Sequence, residues 1–218
     1  MIRCFFVALA ACLFSVSVLA AQYPINELPM YGGVEKSDAM LKADEAFIGK
    51  VLEQGYSKET GARHFSMRGW QAFSGGDLST AVKRFNQSWL LDRDLYETYW
   101  GFALVYVLRD HDIPNGSAMF EKALSLRPDQ GEFYVEYGRF LEENDAGSLD
   151  KAVDFVKKGL AMNPDIRDGY ICLIRACFRK NDLEQMRFWF DRGKERKVFQ
   201  PSELEGLESD IAQAGGNR

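Results

Sequence analysis

The stretch Tyr99-Trp100-Gly101-Phe102-Ala103-Leu104-Val105-Tyr106 sets Tyr99, Phe102, Ala103 and Tyr106 at offsets of zero, three, four and seven. Those offsets define one face of an α-helix, because side chains three and four apart lie above one another at 3.6 residues per turn. The same stripe returns on both sides of it. It begins at Phe65 (Phe65, Arg68, Gly69, Ala72), at Tyr134 (Tyr134, Tyr137, Gly138, Leu141) and at Tyr170 (Tyr170, Leu173, Ile174, Cys177). The four anchors Phe65, Tyr99, Tyr134 and Tyr170 stand 34, 35 and 36 residues apart.

A second stripe follows each first one: Ala81, Phe85, Ser88; Gly116, Phe120, Ala123; Ala152, Val156, Gly159; and Met186, Phe190, Gly193. In most of these a bulky residue sits between two small or slim ones, which lets two helix axes approach while the large side chain fills the space between them. Turn residues separate the two stripes of each unit, at Gly76-Asp77, His111-Asp112 with Pro114, Gly147-Ser148 and Asn181-Asp182. Pro128 and Pro164 close two units, where a proline suits a helix end.

This period and these positions resemble the tetratricopeptide repeat (TPR) from about Ala62 to Gln200. The resemblance implies an all-α fold: an α-solenoid of about four antiparallel helix pairs with N- and C-terminal capping helices. Departures are Arg68 where the repeat prefers leucine, Gly116 where it prefers alanine, and Arg93 where it prefers proline. Stacked repeats leave an apolar face at each end, so caps are expected. Asp38 to Gln54 supplies one, with Leu41, Phe47, Ile48, Val51 and Leu52 to one side and Gly55 to end it. Pro201-Ser202-Glu203 opens another, with Leu204, Leu207 and Ile211 inward. The expected organisation is a leader at 1–21, an extended lead at 22–37, a cap and linker at 38–61, four repeats at 62–201, and a C-terminal cap at 202–218.

The leader reads as a signal peptide: Arg3, then an apolar run from Phe5 to Leu19, then Ala20 and Ala21 as the cleavage region. Leu9-Ala10-Ala11-Cys12 matches a lipobox and is the alternative, in which Cys12 carries a lipid. Wording such as Leu28-Pro29-Met30-Tyr31-Gly32-Gly33 and Phe85-Asn86-Gln87-Ser88-Trp89 is similar to a group of exported bacterial tetratricopeptide proteins. The expected location is therefore the periplasm of a Gram-negative bacterium, with membrane association only through Cys12.

The chain has 27 basic and 32 acidic residues, a formal net charge of −5. Nucleic acid is a poor partner for such a chain, since its binding needs clustered phosphate-neutralising charge. Cys172 and Cys177 lie five apart in one helix, a rise of about 7.5 Å with diverging side chains, so they are expected to be packed thiols. No Gly-x-Ser-x-Gly elbow, phosphate-cradling loop or His-Glu-x-x-His helix occurs, and no cofactor or metal is expected. Asn86-Gln87-Ser88 and Asn115-Gly116-Ser117 match the glycosylation sequon, with Asn86 placed mid-helix. An enzyme is not expected.

The resemblance implies a concave groove that holds a peptide or helix of a partner protein. Residues one, five and eight beyond each anchor would line it: Ser66, Trp70, Phe73; Trp100, Leu104, Val107; Val135, Arg139, Glu142; Ile171, Arg175, Phe178. Aromatic and apolar in its first half and arginine-bearing in its second, it suggests a partner with bulky side chains and an acidic or carboxylate end. Either tryptophan could equally be core. Ser66 and Trp70 stand where the carboxylate-clamp subtype carries lysine and asparagine, which argues against that subtype. The expected function is a periplasmic scaffold or adaptor. The alternatives are an immunity or inhibitor protein that blocks a toxin or hydrolase, or a structural subunit of an envelope assembly.

Overall fold

The computed structural model describes residues 23–216, so the leader, its cleavage region and the lipobox cysteine lie outside the described residues. Every regular element among the described residues is helical. The chain divides into two compact units, one ending at Arg93 and the other beginning at Asp94.

The first unit holds α1 (Asp38–Glu53), α2 (Lys58–Ser74) and α3 (Leu78–Leu91). Ser57 and Thr60 cap α2 reciprocally: Thr60 N donates to Ser57 Oγ at 3.1 Å and Ser57 N donates to Thr60 Oγ1 at 2.9 Å. That cap starts the helix at Lys58, ahead of the repeat boundary at 62 expected from the stripes alone. Phe47 and Phe65 join α1 to α2 with ring centroids 5.3 Å apart. α2 and α3 pair along their length, and a Cβ on Gly69 would come within 2.5 Å of the Phe85 ring. Ser88 Oγ, fully buried, donates to the Ala62 carbonyl at 2.9 Å across the same pair.

The lead before α1 differs from the extended segment expected. It forms 3-10 turns at Ile25–Glu27 and Pro29–Gly33, and Met30, Tyr31, Gly32 and Gly33 all have positive φ. Left-handed backbone costs roughly 1–2 kcal/mol at a residue with a side chain, so Met30 and Tyr31 must be held. Asn86 of α3 holds this turn: its Nδ2 donates to the carbonyls of Asn26 at 3.0 Å and Leu28 at 2.9 Å. Lys83 pairs with Glu27 at 2.8 Å, Lys36 pairs with Asp44, and the Lys36 ammonium lies 4.0 Å over the Tyr31 ring. The sequon asparagine is therefore a buried clasp, 1% exposed.

The second unit holds three helix pairs: α4 (Tyr96–Leu108) with α5 (Ile113–Ser125), α6 (Gly131–Asn144) with α7 (Leu149–Met162), and α8 (Arg167–Arg179) with α9 (Leu183–Glu195). A last helix, α10 (Pro201–Gly216), packs on α9. The second helix of three pairs in the chain starts by the same device. Gly76, His111 and Asn181 take positive φ, and the next residue (Asp77, Asp112, Asp182) accepts from the backbone N–H three residues on. The α6–α7 connection replaces it with a 3-10 turn, Ala146–Ser148, in which Asp145 accepts from the Gly147 backbone N–H.

All twelve residues of the second stripe are buried. The first stripe is buried at Tyr99, Phe102 and Ala103 and throughout the Tyr134 and Tyr170 sets, while Arg68 is exposed. The tyrosine anchors have a polar purpose as well: Tyr134 donates to the Pro128 carbonyl at 3.0 Å and Tyr170 to that of Pro164 at 2.9 Å. Small residues allow the closest contacts, since a Cβ on Gly159 would lie 2.6 Å from the Gly131 carbonyl oxygen. Cys172 and Cys177 are free buried thiols, and burial pushes Cys172 up to about 12. Among the described residues no helix is long and apolar enough to cross a membrane.

Candidate functional site

Eleven of the twelve groove positions separate into three groups, with Val107 half-buried like the second of them, and the twelfth, Phe178, is exposed. Ser66, Trp100, Leu104 and Val135 are buried, which corrects the expectation that they form open binding surface. Trp100 meets Phe133 edge-on with centroids 5.8 Å apart and is only 9% exposed. Val135 faces α7, where a Cβ on Gly159 would come within 2.7 Å of its Cγ2. Trp70, Phe73 and Ile171 are half-buried, with Trp70 edge-on to both Phe73 (5.6 Å) and Phe85 (5.5 Å). Helical spacing defines a side of α2, α4 or α6 but not what comes to rest against it.

The third group is charged, and its partners are internal. Arg139 pairs with Glu136 and lies 3.7 Å from Glu143. Arg175 donates to Glu142 at 2.5 Å and to Glu143 at 3.0 Å, and Arg179 donates to Glu142 at 3.0 Å and to its backbone carbonyl. Three guanidiniums thus meet three carboxylates. Glu142 is 4% exposed, so this network welds the end of α6 to α8. Burial works against the charge on Arg175, but Glu142 and Glu143 outweigh it and hold that guanidinium above its ordinary pKa. The expectation that Arg139 and Arg175 stand ready for an acidic partner is corrected by these pairs.

Three residues of this network, Glu142, Arg175 and Arg179, help form one wall of a cleft that is open to solvent, with a volume near 440 Å³. Glu142, Arg175 and Phe178, three groove positions, converge there with Ile174 and Arg179. Met186 of α9 lies at the floor, and α10 supplies the far wall through Leu207, Asp210, Gln213 and Ala214. Ile174 and Met186 are buried, whereas Phe178 is 58% exposed at the mouth. Leu207, Ile211 and Ala214 fix α10 by packing into the core beneath. The contribution of α10 was missed in the sequence because that helix reads only as a cap. Its sole signal was the spacing of Leu207, Asp210 and Ala214 along one side.

The charged side chains that line the cleft are Glu142, Arg175, Arg179 and Asp210. Its one buried carboxylate, Glu142, is committed to two guanidiniums. Among the described residues, no group of three or more His, Cys, Asp or Glu could hold a metal ion.

Helix pairs with a bulky-on-small seam, tyrosine anchors and aspartate-capped turns define an all-α fold of tetratricopeptide type. The solved structures it is similar to have that fold. One is PilW, described as a widely conserved type IV pilus biogenesis factor: 16% identity over 83% of this chain and 88% of that one, TM-score 0.61. PilF of Pseudomonas aeruginosa shares 15% identity over 73% of this chain and 75% of that one, TM-score 0.62. MamA shares 16% identity over 75% of this chain and 96% of that one, TM-score 0.53. No protein-family model matches the sequence, and no curated protein sequence does.

Proposed function

We propose that this chain is an exported, non-catalytic interaction scaffold that holds a segment of a partner protein in the cleft between α8 and α10. The observation that carries the reading is the cleft itself: an apolar floor at Ile174 and Met186, an exposed phenylalanine at the mouth, and a rigid charged rim. An aromatic residue left 58% exposed beside an apolar basin is a surface that association would desolvate. The Glu142 network fixes the rim before any partner arrives, which lowers the ordering cost of binding. The leader, with Arg3, the apolar run and Ala20-Ala21, supports work in the periplasm.

Photo-crosslinking in living cells tests this. A photoreactive residue at position 178 is expected to trap one discrete partner, and the same residue at Met162, exposed on α7, is expected not to. Equal labelling from both sites, or none from 178, contradicts the proposal.

A further inference from the structure

Among the charged residues that line the cleft, the one without an ion pair is acidic, the opposite sign from the one its arginines suggest. Arg175 and Arg179 are both spent on Glu142, and Arg175 also on Glu143. The α10 helix carries Glu203, Glu205, Glu208 and Asp210 and no basic residue, and of these four Asp210 lines the cleft. Glu203 pairs with Arg167 at 3.0 Å and Glu208 with Lys194 at 2.7 Å. Asp210 points to the cleft, is exposed, and makes no ion pair or hydrogen bond among the described residues. The cleft therefore presents an apolar basin with a free carboxylate on its α10 wall.

From this geometry we infer that the segment taken up by the cleft carries a bulky aliphatic or aromatic side chain with a lysine or arginine close to it in sequence. The apolar side chain enters between Phe178, Ile174 and Met186, and the cation reaches Asp210. An acidic segment meets Asp210 as a like charge and finds both arginines engaged, so it would have to break the Glu142 network to be bound. This inference rests on the scaffold reading and gives the chemistry of the partner.

Panning a random twelve-residue phage-displayed peptide library against the polypeptide from residue 22 onward tests both and separates them. The expected pool is enriched in Leu, Ile, Met or Phe beside Lys or Arg. Selected peptides are expected to lose binding to Phe178→Glu and to weaken roughly two- to fivefold on Asp210→Lys, the size expected of one exposed ion pair. Both sites are exposed, and circular dichroism verifies that each variant keeps its helices. A pool that is apolar with acidic or no charged residues, sensitive to Phe178→Glu but not to Asp210→Lys, overturns the inference and leaves the scaffold standing. No enrichment, or a pool indifferent to Phe178→Glu, overturns both.

Discussion

Arg175 donates to Glu142 at 2.5 Å, tying α8 to α6 across 33 residues of sequence. The carboxylate is buried, whereas the Arg175 side chain is 43% exposed. Glu142→Ala leaves two guanidiniums without their shared acceptor. It is expected to lower stability by about 1–3 kcal/mol, discounted from a fully buried pair because both arginines reach solvent. Urea denaturation checks this, and a loss under about 0.3 kcal/mol would show the network to be ornamental.

The clasp at Asn86 makes a sharper prediction. Asp in its place is nearly the same size but cannot donate, and would set a carboxylate against the carbonyls of Asn26 and Leu28. Asn86→Asp is expected to release the lead, which limited proteolysis would read as new cleavage between residues 24 and 36. Unchanged resistance there would show that the left-handed turn is held by other contacts.

Two glycines should respond with opposite signs. A Cβ on Gly138 meets Val156 Cγ2 at 2.5 Å and the Ala152 carbonyl oxygen at 2.8 Å, so Gly138→Ala should push α6 from α7 and cost about 1–3 kcal/mol. Gly49 sits inside α1 with nothing within 4 Å of an added Cβ. There, alanine should stabilise by about 0.5–1 kcal/mol through helix propensity. Thermal melts of the two variants should move in opposite directions.

The buried thiol at Cys172 sets an alkaline limit. Burial raises it from 9.0 to about 12, so in the folded state it keeps a proton that the unfolded chain gives up. The unfolded state then binds fewer protons between those values, and stability falls as pH rises from about 9 toward 12. Tyr31 and Tyr137, each raised from 10.0 to about 12 chiefly by burial, act in the same direction. Cys172→Ala is expected to flatten this limb, and the native thiol is expected to resist alkylation at pH 8.5 until the chain unfolds.

Much of this fold was legible because its seams repeat. Small-bulky-small triplets such as Gly116, Phe120, Ala123 announce two helices in close contact, and all of them are buried. His111-Asp112 and Asn181-Asp182 announced turns because aspartate caps a helix whose preceding residue can go left-handed. The left-handed run at Met30 and Tyr31 was not legible, since neither residue favours that backbone and its support comes from Asn86, far along the chain. Of the positions expected to line a groove, Glu142, Arg175 and Phe178 border the cleft, whereas Trp100 and Val135 are covered by neighbouring residues. Salt bridges between repeats leave no local trace, so the pairing of Arg139 and Arg175 with carboxylates was not legible in the sequence.

Hydrogen exchange on the purified chain, with and without the segment trapped through position 178, tests the central claim most directly. If the cleft is the binding site, amides of α8 and α10 slow on addition of that segment while those of α1 to α3 do not change. Protection elsewhere, with α8 and α10 exchanging as before, would contradict it.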